Sequence, residues 1–492
     1  MVEPTPESAS AVTTPYSTRK LTAGLMLGVG VHAMEGFSVY TALPALTVEM
    51  NARPLYGAVI TIYLLGSLVG LVWAGVRADT HGLGGTLRVG LLAAATGLLG
   101  ATLAPRIELL LLFRVFQGFG GGALTTVIYA AVHQAYPRER WAQTLAFLSL
   151  AWGVSAVAMP GLLGLIVDHL HWRYVFALGL PIVALAGWLT LPPLATLAAE
   201  RAQRHTVSPE VGVDAGVGAE PGADTDGGPR RTRRLVTAVT VVVLGALVGL
   251  HGALLPGVPA ALALVLPAVG GAAVIGGLAV LWPPGVFRLR GVLPASVGVK
   301  TLACGLFFGA EAHLPLALTD VHQRGSAFVG LVLTVAAMAW SSAAFVQARL
   351  LPRFGPSRIT LFGVLAIAFA VLGLNALVDP TASPFLALPL WAVAAAGMGF
   401  VYNTVSDSAL AATCDGESGA TGTALGISDS VGAAFGAGLA SALLNTAPSM
   451  AEGLTRGWCA LLLLAFPMLL GASRLGGPTA ATAKDEPATV VA

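Results

Sequence analysis

Apolar stretches of about twenty residues recur fourteen times along this chain, at approximately 21–44, 55–76, 86–105, 107–131, 143–167, 172–195, 235–255, 258–282, 291–317, 326–350, 356–377, 383–405, 419–444 and 454–473. The hydrocarbon layer of a bilayer is about 30 Å thick and a helix rises about 1.5 Å per residue, so each stretch has the length of one crossing. Inside that layer no water satisfies the backbone, which leaves helices or closed barrels, and long runs without alternation select helices. Composition agrees: 56% of the residues are hydrophobic, only 10% are charged and the mean hydropathy is +0.81, against roughly 25% charged residues in soluble domains. The chain reads as an all-α membrane protein. Its formal net charge of +2 provides no basic face for nucleic acid.

Cys304, Cys414 and Cys459 lie far apart without metal-ligand spacing, so no metal site or disulfide framework is expected. No nucleophile elbow, metal cluster or phosphate loop appears, so no cofactor is expected and the chain does not read as an enzyme. The first twenty residues carry Pro, Ser, Thr and acids ahead of Arg19 and Lys20 and read as a polar tail, not a cleavable signal.

Basic residues set the orientation. With the N-terminus inside, nineteen of the 26 Lys and Arg residues fall in cytoplasmic segments, five (Arg53, Arg106, Arg173, Arg324 and Arg456) fall outside, and Arg114 and Lys300 lie within spans. Both termini are therefore expected on the cytoplasmic side of the cell (inner) membrane. One polar interruption divides the chain. "VGVDAGVGAEPGADTDGGP" followed by "RRTRR" cannot form a core and reads as a disordered linker. The expected organisation is a tail (1–20), a six-helix bundle (21–196), a cytoplasmic linker (197–234), an inserted transmembrane hairpin (235–282), a second six-helix bundle (291–473) and a tail (474–492). Internal similarity supports two related halves: "AMEGFSVYTALP" in the first span parallels "GAEAHLPLALT" in the ninth, each with an acid in its outer half.

Charged residues inside spans are the candidate site. An arginine at the bilayer centre costs at least about 2.5–3.5 kcal/mol on insertion scales, so Arg114 should face the bundle interior and have a partner. Counted along their helices at about 1.5 Å per residue, Arg114 and Glu35 reach roughly equal depth, about 10 and 13 Å from the outer ends of their spans. Gly118 and Gly122 share the face of Arg114 and admit a close neighbour, helix or substrate. The functional reading has Glu35 take and release a proton, while Arg114 favours its charged form in one conformation and withdraws in another; the alternative is a static ion pair. His32, one turn from Glu35, is either a relay member or a packing residue. Lys300, Cys304, Phe307 and Glu311 form a second stripe, with His313 just beyond it. In one reading Lys300 snorkels inward and Glu311 reaches the outer interface; in the other Glu311 lines the cavity opposite Glu35. Asp429 lies near mid-bilayer, with neither interface in reach, and is the third proton-coupling candidate. Gln117, Gly118 and Asn403 complete the expected cavity with His32, Phe307, Glu311 and His313. Asp407 is expected to face the cytoplasmic loop, and Tyr129, Trp152, Phe308, Trp340 and Tyr402 are candidates for an aromatic wall.

These stretches resemble the major facilitator superfamily and, within it, the fourteen-span drug:proton antiporters. "RVFQGFGGG" (Arg114 to Gly122) is similar to the family's fourth-helix motif, "DHLHWRYVFALGLP" (Asp168 to Pro181) to its Asp, Trp-Arg, Phe and Pro pattern, and "MEGFSVYTALP" to its first-helix pattern. The resemblance implies two six-helix bundles that alternate access, plus the inserted hairpin, and assigns motif and gating roles to Asp79, Gly82, Pro160, Gly164, Asp168, Arg173 and Arg353. There are departures. "GVRADTHGLGG" keeps Gly75, Asp79 and Gly82 but has Thr80, Leu83 and Gly84 where the family has cations, "RLLPRFGPSR" has cations without the acid, and "MPGLLG" replaces the usual fifth-helix motif. The expected activity is export of amphipathic or lipophilic, drug-like molecules in exchange for protons, by a monomer. The alternatives are an uncoupled facilitator, a lipid or metabolite exporter of the same fold, and a membrane scaffold that transports nothing.

Overall fold

The computed structural model describes residues 17–207, 234–246, 260–413 and 418–476. Most of both tails, most of the linker, the turn of the inserted hairpin and Cys414 lie outside the described residues.

Among the described residues every long element is a helix: α1 (Thr18–Glu49), α2 (Tyr56–Leu103), α3 (Ile107–Ala135), α4 (Arg138–His169), α5 (Arg173–Ala177), α6 (Gly179–Val207), α7 (Arg234–Ala246), α8 (Ala260–Leu281), α9 (Val292–Leu316), α10 (Ser326–Leu374), α11 (Ala387–Ala411), α12 (Ser418–Thr446), α13 (Met450–Leu462) and α14 (Ala465–Ala472). Ten stretches among them are long and apolar enough to cross a membrane. The helices outrun the apolar stretches that predict them because backbone hydrogen bonding continues into interfacial residues. Thus α6 runs through Val207, into the segment expected to be linker from residue 197. Helices α7 and α8 stand where the hairpin is expected, at 13 and 22 residues, respectively.

Two helices are each long enough to cross twice, and both turn at a glycine. α2 contains Gly82 at φ 75°, ψ 164°, and α10 contains Gly355 at φ 74°, ψ 164°. This region of backbone space is essentially closed to residues with a Cβ. Each glycine follows a first arm and redirects the chain into a second, so "HGLGG" and "FGPSR", which share little sequence, carry the same joint.

Packing repeats in the same way. α2 packs on α3 as α10 packs on α11; α1 packs on α4 as α9 packs on α12. The two halves, α1–α6 and α9–α14, meet chiefly through α4 against α10 and α2 against α12, a related pair of contacts. The long α2–α3 contact depends on missing side chains. A Cβ on Gly118 would stand 2.0 Å from the Tyr63 carbonyl oxygen, and one on Gly122 2.0 Å from that of Ser67. Gly118, expected to line the cavity, instead lets two backbones touch.

Candidate functional site

One interior cluster is anchored in the first half. Arg114 of α3 and Glu35 of α1 are both enclosed, their side chains 2% and 4% exposed, and Arg114 Nη1 lies 3.2 Å from Glu35 Oε2. Gln117, one turn along from Arg114, accepts from Arg114 Nη1 at 2.7 Å and donates to Glu35 Oε2. Arg114 Nε donates to the Val59 carbonyl at 3.3 Å, and the guanidinium sits 4.3 Å from the centroid of the Tyr63 ring. A buried charge is tolerable only when it is paired and its remaining donors are engaged, and three elements, α1, α2 and α3, supply those partners here. His32 joins at one remove: its Nδ1 lies 3.3 Å from the Tyr63 hydroxyl. Gln117 thus belongs to the acid–arginine network and is not part of an open cavity wall.

Glu311 of α9 has different surroundings. It is buried, its Oε1 accepts from Trp391 Nε1 at 3.3 Å, and its Oε2 has no hydrogen-bond partner among the described residues. Tyr40 of α1 is within electrostatic reach, so this carboxyl faces the other half. It does not reach either interface. His313, buried two residues on, is fixed by the Gly309 carbonyl at 3.0 Å and the Ser441 hydroxyl at 2.9 Å. Phe307 is stacked on Trp391 at 4.8 Å and is 2% exposed. Both residues were expected to line the cavity. Phe307 instead packs inside the second half, where α11 and α12 enclose its helix; the His313 ring lies 5.7 Å from that of Tyr56 of α2, so it stands where the two halves meet.

The third cluster is one that reading along the sequence missed. Lys300 does not snorkel to an interface: its Nζ lies 3.2 Å from Asp429 Oδ1 of α12 and 4.0 Å from the centroid of the Tyr402 ring of α11. The Tyr402 hydroxyl donates to Asp429 Oδ2 at 2.8 Å, and Cys304 Sγ lies 3.5 Å from Oδ1. The depth argument that pairs Arg114 with Glu35 would have found it. Lys300 and Asp429 are each about ten residues from the same end of their helices, but 129 residues of sequence separate them. Asn403 neighbours this cluster and is half-buried, and Asp407 is exposed one turn further along α11.

The motif residues divide by location. At the end of the bundle where α1 finishes, Asp168 of α4 accepts from the backbone N–H groups of Ser326 and Ala327, both at 2.7 Å, capping α10 of the other half. Gly164 and Pro160 sit in the same seam. A Cβ on Gly164 would stand 2.3 Å from the Ser326 carbonyl, and the Pro160 carbonyl approaches Gly330 as closely. Arg53 pairs with Asp320, and Asn445 Nδ2 donates to the Pro54 carbonyl at 2.8 Å, so two further bonds join the halves at this end. Arg173 acts within one half. It holds Glu49 at 2.5 Å and the Ala104 carbonyl at 3.1 Å. Burial pushes the Glu49 carboxyl up, but hydrogen bonds from Arg173 and Trp172 and the charge of Arg173 hold it below the usual range. At the opposite end Arg353 is exposed beside the Gly355 turn; the Asp79 side chain lies outside the described residues.

Comparison with known proteins places this architecture. The Major Facilitator Superfamily model matches residues 25–441. A probable multidrug-efflux transporter of Mycobacterium tuberculosis is 26% identical over 463 residues, covering 90% of this chain and 91% of that protein. The multidrug resistance protein B homolog of the same species is 24% identical over 445 residues, 87% of this chain and 77% of that one. Among solved structures, a D-xylose–proton symporter superposes with a TM-score of 0.62 at 12% identity, over 93% of this chain and 97% of that chain. A POT family peptide transporter superposes with a TM-score of 0.59 at 16% identity, over 92% and 96% of the two chains. With the family model spanning most of its length and the halves, joints and seams of that fold in place, the chain belongs to the Major Facilitator Superfamily and is a membrane transporter, not an enzyme.

Proposed function

We propose that this protein is a proton-coupled exporter of amphipathic or lipophilic small molecules that works by alternating access between its two halves. The observation that carries the reading is the contrast between two buried acids, Glu35 in the first half and Glu311, within electrostatic reach of Tyr40 of the first half, in the second. Glu35 is held by an arginine and a glutamine, both donating to Oε2, whereas Glu311 has a single indole donor and no cation bonded to it among the described residues. Two carboxyls with unequal support across a moving interface provide a place for a proton to be taken up in one conformation and released in the other. Glu35 is the carrier in this reading, and Arg114 is the group whose approach and withdrawal govern it.

The orientation expected from the basic residues puts both termini in the cytoplasm of a cell membrane and the Asp168 seam on the outer face. The inter-half bonds of Asp168, Arg53 and Asn445 then describe an outward-closed, inward-facing form. Multidrug-efflux relatives at 24–26% identity support small lipophilic cargo. So does the scarcity of buried cations: beyond Arg114 and Lys300, each already paired with an acid, no further arginine is buried among the described residues for a phosphorylated metabolite. A fourteen-span count with α7 and α8 as an inserted hairpin, and a monomeric state, belong to the same reading.

The test is transport by the purified chain in liposomes, with an imposed pH gradient and a panel of lipophilic cations, neutral aromatics and lipids. Gradient-driven accumulation is expected in the original protein. Glu35→Gln keeps size and hydrogen bonding but not the titratable group, so it should still insert and bind cargo without responding to the gradient. Downhill flux indifferent to pH would identify a facilitator, and no flux of any probe would overturn the transport reading of this site.

A further inference from the structure

We propose that Asp429 and Tyr402 form a seat for the cationic group of the cargo, and that in the cargo-free protein this seat is occupied by the chain's own Lys300 ammonium. The proposal rests on the transport reading above and adds to it the charge class of the substrate: a lipophilic monocation.

The composition of the cluster is that of an ammonium site. A carboxylate oxygen lies 3.2 Å from Lys300 Nζ, and an aromatic face lies 4.0 Å from the same nitrogen. A carboxylate and a ring face around one cation are the pair of groups by which proteins hold alkylated ammonium ligands. The second carboxylate oxygen is fixed by the Tyr402 hydroxyl at 2.8 Å, so the acid is aimed before any ligand arrives. Tyr402 continues into the partly exposed Trp340 ring 5.6 Å away, which provides a surface for the hydrophobic body of such a cargo, with buried Phe307 backing that ring at 5.5 Å.

Exposure separates this pair from a structural one. Both partners of Arg114–Glu35 are enclosed, whereas the Lys300 side chain is 5% exposed and that of Asp429 is 32% exposed. The carboxylate therefore presents an open edge while the ammonium reaches it from behind, from inside the second half. Tyr129 of α3, half-exposed, is within electrostatic reach of Asp429 from the other half, which puts that open edge between the halves. Lysine suits a displaceable occupant: it is a point charge on a flexible four-carbon stem, without the two-pronged grip of arginine. Cargo cation and Lys300 then compete for one carboxylate, and the empty site never holds an unpaired buried charge.

Competition makes a prediction opposite to that of a structural ion pair. Equilibrium binding of tetraphenylphosphonium and of uncharged triphenylphosphine oxide would be measured on the full-length chain in detergent, without any gradient, at about pH 8, where carboxylates are ionised. Lys300→Met removes the competitor and should tighten tetraphenylphosphonium binding about tenfold, the change equivalent to about 1.4 kcal/mol, and leave the oxide within about twofold. Asp429→Asn should weaken the cation about tenfold or more and spare the oxide. Tyr402→Leu should weaken the cation while Tyr402→Phe, which keeps the ring, should retain most of it; this comparison stands even if Lys300→Met does not purify intact. Unchanged or weaker tetraphenylphosphonium binding in Lys300→Met, equal shifts for both probes, or no difference between the two Tyr402 variants would overturn the seat. Because no gradient enters, loss of proton-driven export alongside these binding results would overturn only the antiport reading.

Discussion

Replacing Asp168 tests whether the seam between α4 and α10 holds the closed form together. Its carboxylate caps a helix belonging to the other half, accepting two backbone N–H bonds at 2.7 Å, so breaking the seam and uncapping α10 are the same event. Loss of an N-cap acceptor costs about 0.5–2 kcal/mol, and a negative charge at a helix N-terminus contributes about 0.3–1 kcal/mol more at partly exposed sites. Asp168→Ala should therefore raise the free energy of the form with this seam closed by about 2 kcal/mol relative to the form with it open, a shift of about thirtyfold in their ratio. Asp168→Asn retains one acceptor and loses the charge, so about 1 kcal/mol and about fivefold are expected. The assay is a pulsed-EPR distance distribution between labels at Leu170 and Phe385, exposed residues at this end of the two halves, in lipid nanodiscs and a cysteine-free background. The long-distance population should grow from the original protein through Asp168→Asn to Asp168→Ala. Identical distributions in the three proteins, or a larger change for Asn than for Ala, would refute the capping argument.

Gly82→Ala should destabilise the protein by about 1–3 kcal/mol although its Cβ would meet open space, because the cost lies in the backbone conformation. Gly82→Asn should be no milder, and thermal melting in detergent compares them. Gly118→Leu should reduce both folding yield and transport by forcing α2 from α3, and full activity at full yield would remove that contact from the account. For Glu49 the folded carboxyl lies below its unfolded value, so its stabilising contribution is present above the ordinary carboxyl range of about 4.3 and is lost as pH falls through the depressed value. Glu49→Gln should therefore melt lower than the original protein near neutral pH, with the gap closing on acidification.

The family and the helical character were legible in the sequence because both follow from local rules. A bilayer permits few backbone solutions, and about twenty apolar residues specify a crossing wherever they stand. The pairing of Arg114 with Glu35 was legible for the same reason: helices that cross one slab share a depth scale, and a buried charge demands a partner at its own depth. Lys300 and Asp429 obeyed that rule too, but the stem of a basic side chain can also carry its charge toward an interface, so depth alone left two outcomes for Lys300. Only the packing of α9 against α11 and α12 decided that it stays inside. The sequence marked Phe307, His313 and Gly118 as members of polar or small-residue stripes, yet a stripe says which residues share a face and not what covers that face. α2 covers Gly118, the second half closes over Phe307, and His313 is covered from both halves, by Ser441 and by the Tyr56 ring. The matching joints at Gly82 and Gly355 were likewise hidden, because a glycine's unusual φ and ψ leave no trace in composition. That Asp168 caps a helix beginning 158 residues later is a fact of tertiary structure alone, since a backbone N–H belongs to every residue and no sequence pattern distinguishes the two that a distant carboxylate will reach.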